Sequence, residues 1–275
     1  MAHGKGAAED AEYLYFRGDR LDRTRTGPGV IEAEDLELAS AVARQAAGRD
    51  IGEALGGEPA GVSVVATLAE ALEAPCDVLI DYTHPSAGKA HALAAIGRGI
   101  SVVLGTTGLS AADFDEIDTA ARAAGVGVAT GNFCLTAALL QHFALFAARH
   151  IERFEVIDYA HATKPDAPSG TAMELAELLG EVRRPTLDLA IAETRGPEGV
   201  RGATVNGVQV HALRLPSYTL AVEAIFAQDG ERLVLRHEGT MSAKPFVFGS
   251  LLAARRIGQT TGVVRGLDKL LFGET

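Results

Sequence analysis

Between residues 77 and 133 the chain alternates continuous apolar runs with amphipathic ones, and this alternation constrains its fold more than any other feature. Asp77-Val78-Leu79-Ile80-Asp81-Tyr82 is apolar inside with an acid near each end, the pattern of a strand buried on both faces of a parallel sheet. Residues 86–98 read as a helix closing near Gly97 and Gly99, and Ile100–Leu104 as a second buried strand. Ser110–Ala124 is an amphipathic helix, and Gly127–Ala129 is a further short strand. Upstream, Val62–Val65 reads as a β-branched strand, with a helix beginning at Leu68–Leu72 after Thr67. A β-α-β-α-β order predicts an α/β architecture with a right-handed, doubly wound parallel sheet.

Ligands of such sheets bind beyond the carboxyl ends of the strands. Three segments fall there: Tyr82-Thr83-His84-Pro85, Gly105-Thr106-Thr107-Gly108 and Gly131-Asn132-Phe133. Glycines at these ends let a flat ring or a phosphate come close to the backbone. Any one of them is compatible with a plain strand–helix turn, but three on consecutive strands argue for a ligand crevice.

A second signal is Lys164-Pro165-Asp166-Ala167-Pro168-Ser169-Gly170-Thr171. Two prolines and a glycine hold residues 165–170 out of helix, and Ala172, Leu175, Ala176, Leu178 and Leu179 then fall on one helical face. Thr171 with Glu174 has the form of a capping box. Such a loop aims backbone N–H groups, a hydroxyl and the positive end of a helix dipole at one point, with Lys164 beside it. This is an anion site suited to a carboxylate or a phosphate. The plainer alternative is a capped helix with a surface lysine.

After Phe133, residues 135–150 read as an apolar helix, and Phe154–Tyr159 as a strand leading to His161 and Lys164. Strands near Gln209–Arg214, Leu220–Phe226 and Arg232–His237 follow without helices between them, which predicts a separate antiparallel or mixed sheet. Residues 245–256 read as a helix.

Composition narrows the classes. The 275 residues suffice for one large or two medium domains, and 47% of them are hydrophobic. There is no apolar run near the roughly 18 residues that span a membrane, and no basic start with an apolar core marking a secretory signal. A net charge of −11 argues against a nucleic-acid or anionic-membrane partner. Cys76 and Cys134 show no metal-ligand spacing and read as buried free thiols, which fits a reducing cytoplasm. No metal site is expected.

Taken in order and spacing, Asp81-Tyr82-Thr83-His84-Pro85, Gly105-Thr106-Thr107-Gly108, Asn132-Phe133 and Lys164-x-Asp-Ala-Pro-Ser-Gly-Thr closely resemble the 4-hydroxy-tetrahydrodipicolinate (dihydrodipicolinate) reductases of lysine biosynthesis. The resemblance runs from about Ile31 to the C-terminus. It implies a Rossmann-like doubly wound sheet plus a smaller α+β substrate and oligomerisation domain with an open mixed sheet. The implied division is residues 31–132 for the dinucleotide, 133–244 for substrate and tetramerisation, and 245–275 returning to the dinucleotide domain. The implied reaction is hydride transfer from NADPH, or NADH, to a small dianionic cyclic imine, in a homotetramer. Gly105, Thr107, Asn132 and Phe133 would line the nicotinamide side together with Thr106, and Thr83 and His84 would lie near the dinucleotide bridge. The dicarboxylate would be held by Lys164 and the backbone of Ser169, Gly170 and Thr171. His161, three residues before Lys164, is the candidate proton donor.

Two departures stand out. Most members carry a His-His pair before the lysine, the first usually assigned as the acid. Here that position is Ala160, and His161 matches the second. Either His161 delivers the proton, or water does, or the reaction is altered. Second, the apolar strand and Gly-x-x-Gly-x-x-Gly loop expected at the start have no match in residues 1–30, which offer only Tyr13-Leu14-Tyr15-Phe16 and Thr26-Gly27-Pro28-Gly29. Asp19–Thr26 alternates acids and arginines and cannot bury a helix face against a sheet. Residues 1–30 therefore read as an atypical, non-family N-terminus, through divergence, a local frameshift or appended residues. Glu12–Gly18 weakly resembles a protease-tag site.

For cofactor choice, the strand Leu36–Val42 ends in Ala43-Arg44. An acid at this position would accept from ribose hydroxyls, whereas an arginine suits a 2′-phosphate, so Arg44 leans toward NADPH. A surface arginine is the alternative. The leading function is the reductase itself. The alternatives are a reductase of a related cyclic imine dicarboxylate, and an inactive homologue lacking the pyrophosphate loop.

Overall fold

The computed structural model describes residues 13–17 (as backbone), 33, 35–83, 85–106, 108–240 and 244–273. In chain order it first forms β1 (Tyr13–Arg17), β2 (Glu37–Val42), α1 (Ile51–Ala54), β3 (Val64–Val65), α2 (Leu68–Ala71) and β4 (Val78–Asp81). Next come α3 (Pro85–Ile96), β5 (Ser101–Leu104), α4 (Ala111–Ala124), β6 (Gly127–Thr130), α5 (Leu135–Ala148), β7 (Arg153–Ala160) and α6 (Gly170–Val182). The remainder is β8 (Ala203–Val205), β9 (Val208–Arg214), β10 (Leu220–Gln228), β11 (Glu231–Gly239), α7 (Lys244–Ile257), β12 (Gly262–Arg265) and α8 (Leu267–Phe272). The chain divides into two units, residues 1–133 with 244–275, and residues 134–243. No helix among the described residues is long and apolar enough to cross a membrane.

The first unit is built on a sheet of order β12-β6-β5-β4-β1-β2-β3. Its β4, β5 and β6 are buried at every residue, and Leu79, Val102, Val103, Leu104 and Val128 are wholly sequestered. That is why these strands read as unbroken apolar runs rather than as alternations. Helix α4 starts where Ser110 and Asp113 form a reciprocal capping box, and stops at Gly125, whose φ of 70° is the left-handed conformation of a helix C-cap. Its Ile117 and Ala121 pack with Ala92, Ala95 and Ile96 of α3 on the sheet.

One strand breaks the parallel pattern. β1 lies between β4 and β2 and runs antiparallel to both, with Tyr13 opposite Asp81 and Val42, and Arg17 opposite Glu37. The aromatic run thus fills the central position that the resemblance implies for a parallel strand, but in the opposite sense. It begins at the carboxyl edge of β2 and β4, so the chain leaves Arg17 at the edge away from the expected ligand crevice. A parallel crossover from β1 to β2 would need a helix with an apolar face, which the charged stretch Asp19–Thr26 cannot supply. The four-residue β12, parallel to β6, extends the other side of the sheet and has no counterpart in the sequence reading.

The second unit carries the sheet β11-β10-β7-β9-β8, in which β7 and β9 are parallel and the other neighbours antiparallel. Helices α5 and α6 cover one face. Leu140 and Ala144 of α5 and Leu175 and Leu179 of α6 pack onto Phe154, Val156, Val222 and Phe226. The Phe154 and Phe226 rings, register partners on β7 and β10, lie 5.2 Å apart at their centroids.

Candidate functional site

In the second unit the site is organised by a buried acid at the end of β7. Asp158, 1% exposed, accepts from the Ser169 N–H at 2.8 Å, the Ser169 hydroxyl at 2.7 Å and Arg214 Nη2 at 2.7 Å. Arg214 Nη2 also donates to the carbonyl of Asp166 at 2.6 Å. The loop entering α6 is therefore fixed at Asp166 and at Ser169 from the sheet beneath it. The Ala167–Pro168 bond within the loop is cis.

The N-cap of α6 is Ser169, whose hydroxyl accepts from the Ala172 N–H at 3.4 Å. This corrects the expected capping by Thr171 with Glu174: Thr171 is already inside the helix, because Asp158 holds Ser169 in the extended geometry of a cap (φ −66°, ψ 157°). The Ser169 side chain is thus committed to the loop. Gly170 and Thr171 form the first turn of the helix, at the positive end of its dipole. A methyl group at Gly170 would meet no described atom within 4 Å, so the approach to this helix end is open.

Lys164 stands beside the loop with Nζ at 2.6 and 2.7 Å from the two carboxylate oxygens of Asp166. His161 is exposed, and its Nδ1 accepts from the backbone N–H of Thr163 at 3.3 Å, with the Thr163 hydroxyl at 2.9 Å. An N–H can only donate, so the neutral ring carries its proton on Nε2. Ala160, the last residue of β7, is fully buried and offers no titratable group. His161, Lys164, Ser169, Gly170 and Thr171 thus belong to one short loop and helix start on the second unit.

In the first unit a similar buried acid stands at the end of β4. Asp81, 0% exposed, accepts from the Thr83 N–H at 2.7 Å and the Thr83 hydroxyl at 2.6 Å, and lies 3.1 Å from His91 Nδ1 on α3. Thr106 donates its hydroxyl to the Thr83 carbonyl at 2.8 Å, which ties the ends of β4 and β5 together. Tyr82 lies against Gly105 so closely that a Cβ there would fall 2.2 Å from its ring. The Tyr82 hydroxyl bonds Ser250 of α7 at 2.6 Å, and its ring meets Phe133 edge-on at 6.3 Å. Burial pushes this phenol up to about 12, with the Ser250 bond opposing, so it stays protonated at neutral pH.

Thr83, Gly105 and Thr106 are therefore gathered at the carboxyl edge of β4 and β5. Phe133 is 1% exposed, so its ring belongs to the interior. Asn132 is half-buried after β6, and Arg44 is exposed at the carboxyl end of β2. His84 and Thr107 lie outside the described residues, as does most of the segment 1–30. The Gly105 backbone and the Thr83 and Thr106 network form a small polar edge at the carboxyl ends of β4 and β5, of a kind that can approach a dinucleotide. Sequence reading missed Asp158, Arg214, His91 and Ser250, and placed Asp81 and Tyr82 at the strand end without giving them a role. The signal for Asp81 was an acid closing an otherwise apolar strand.

A Rossmann-like sheet in one unit and a separate mixed sheet in the other are the architecture of a two-unit dinucleotide-dependent oxidoreductase. Residues 28–133 match the model of dihydrodipicolinate reductase, N-terminus, and residues 136–271 that of dihydrodipicolinate reductase, C-terminus. The chain belongs to the dihydrodipicolinate reductase family. It is 42% identical over 255 residues to the 4-hydroxy-tetrahydrodipicolinate reductase of Moorella thermoacetica, covering 92% of this chain and 94% of that one. It is 36% identical over 245 residues to the enzyme of the same name from Desulfitobacterium hafniense, covering 88% and 91%. Among solved structures it is similar to the dipicolinate-bound dihydrodipicolinate reductase of Paenisporosarcina sp. TG-14. That match has a TM-score of 0.71 at 28% identity and covers 77% of this chain and 80% of that one.

Proposed function

We propose that this chain reduces 4-hydroxy-tetrahydrodipicolinate to tetrahydrodipicolinate, in the diaminopimelate and lysine pathway, with NADPH or NADH as reductant. The observation that carries the reading is the Asp158–Ser169 clamp, which presents the start of α6 beside Lys164 as a rigid cradle for carboxylates. A relative whose title gives it bound dipicolinate, a flat dicarboxylate, supports that substrate class. The two alternatives, a different cyclic imine and an inactive homologue, are not favoured by relatives that share the reductase name over nearly the whole chain.

When bound, the nicotinamide supplies the hydride, and the protein supplies binding, orientation and a proton. Lys164 and the α6 N–H groups take the substrate carboxylates and fix its ring. His161 acts as the imidazolium: it gives up its Nε2 or Nδ1 proton where hydride addition leaves negative charge, and returns to the neutral ring whose Nδ1 accepts from the Thr163 N–H. With Ala160 in the usual acid position, His161 is the proton donor of this chain. On the first unit, the nicotinamide side is assigned to Gly105, Thr106, Thr107, Asn132 and Phe133, and the dinucleotide bridge to Thr83 and His84. Arg44 favours the 2′-phosphate of NADPH, and Arg44→Ala is expected to weaken NADPH more than NADH. Equal weakening would remove that role.

The enzyme works in the cytoplasm as a homotetramer. The assembly is supported by the face of the mixed sheet opposite α5 and α6, where Ile225 and the exposed Val234 are register partners on β10 and β11. The direct test of the carboxylate anchor is Lys164→Ala. Loss of a charge-assisted contact costs about 1.5–3 kcal/mol, so the KM for substrate should rise roughly tenfold or more. An unchanged KM would exclude Lys164.

A further inference from the structure

The cation assigned to the substrate is already taken. Lys164 Nζ meets both carboxylate oxygens of Asp166, two residues along, at 2.6 and 2.7 Å. The two side chains are 34% and 47% exposed, so the pair stands in solvent and not in the core. The lysine bond is the main cause holding the Asp166 carboxyl below its ordinary range, with slight burial opposing and Arg214 adding to it.

The loop does not need this carboxylate for its shape. Its backbone at Asp166 is held through the carbonyl by Arg214, and its exit is held by Asp158 on Ser169. The Asp166 side chain is therefore free to leave Lys164 while the cradle stays in place. A half-exposed pair of this kind is weak and exchanges readily against a better-placed anion.

We propose that Asp166 is a built-in stand-in for the substrate: its carboxylate occupies Lys164 when no dicarboxylate is bound, and yields to a substrate carboxylate. It lowers the affinity for dicarboxylates by the cost of breaking that pair and keeps the cradle from collecting monovalent anions. The inference rests on Lys164 being the carboxylate anchor. The competing role, in which Asp166 steers Lys164 toward the substrate, predicts the opposite sign.

The test is calorimetric binding of dipicolinate to the full chain, to Asp166→Asn and to Lys164→Ala. Competition by a surface-type pair predicts that Asp166→Asn binds dipicolinate about two- to fivefold more tightly. Lys164→Ala should bind it at least tenfold more weakly. Weaker or unchanged binding by Asp166→Asn, with Lys164→Ala still impaired, would overturn the stand-in role and leave the anchor intact. Unchanged binding by Lys164→Ala would bring down the anchor and the stand-in together.

Discussion

The Asp158 carboxylate takes both the backbone N–H and the hydroxyl of Ser169, at 2.8 and 2.7 Å, and so sets where α6 begins. The strand that carries Asp158 also carries the chain to His161, so one buried acid couples the mixed sheet to the cradle. Asp158→Ala would leave Arg214 without its buried partner and Ser169 without its clamp. Losing one member of a buried pair costs about 3–5 kcal/mol, so thermal unfolding should show a clear drop in Tm. In the fraction that folds, the KM for substrate should rise while nucleotide affinity holds. Wild-type values for both Tm and KM would contradict the clamp.

Gly170 separates stability from binding. It starts α6 with open space around it, so an alanine there fits and gains up to about 0.5–1 kcal/mol from helix propensity. The same methyl group stands where the proposal puts a carboxylate. Gly170→Ala should therefore keep or raise Tm and raise KM. A normal KM in a fully folded variant would place the substrate elsewhere.

Gly105 reports on the other unit. An alanine Cβ at this position would run into the Tyr82 ring, which Ser250 and Phe133 hold from two sides. Relief requires the ring or the end of β5 to move, at a cost of about 1–3 kcal/mol. Nucleotide affinity measured by fluorescence titration should fall for Gly105→Ala. Adding Tyr82→Ala should restore part of the loss, and a double variant no better than the single one would show that Tyr82 is not the obstacle.

The two thiols should titrate far apart. Burial alone would raise the Cys134 thiol, but bonds from His237, Thr136 and the Ala137 N–H outweigh it and bring it down to about 7. Burial raises Cys76 to about 11, with Asp77 adding to the shift. A depressed thiol stabilises the fold above its unfolded pKa, near 8.5, and that contribution is lost as pH falls through about 7. Thiolate absorbance should show one step near neutrality, and His237→Ala should move it up. A single step above pH 9 in the unaltered chain would refute the Cys134–His237 contact.

Much of this was legible in the sequence. Strands buried on both faces declare themselves as unbroken apolar runs, so β4, β5 and β6 and the helices between them stood out, as did the loop before α6. Lys164 and Gly170 were visible because Pro165, Pro168 and Gly170 allow few backbone paths. What stayed hidden is long-range. Ser169 rather than Thr171 caps α6 because of an acid 11 positions earlier, and Tyr82 is pinned by a serine 168 positions later. The direction of β1 was hidden for another reason. A short aromatic run pairs equally well either way, and only its connection to β2 decides.

The most direct test of the account is a coupled assay in which an upstream synthase generates the substrate and oxidation of NADPH and NADH is followed with this chain. The account predicts synthase-dependent oxidation of nicotinamide nucleotide, faster with NADPH, and a loss of turnover in His161→Gln without loss of dipicolinate binding. No oxidation with either nucleotide, while dipicolinate still binds, would contradict it and leave a dicarboxylate-binding protein without reductase activity.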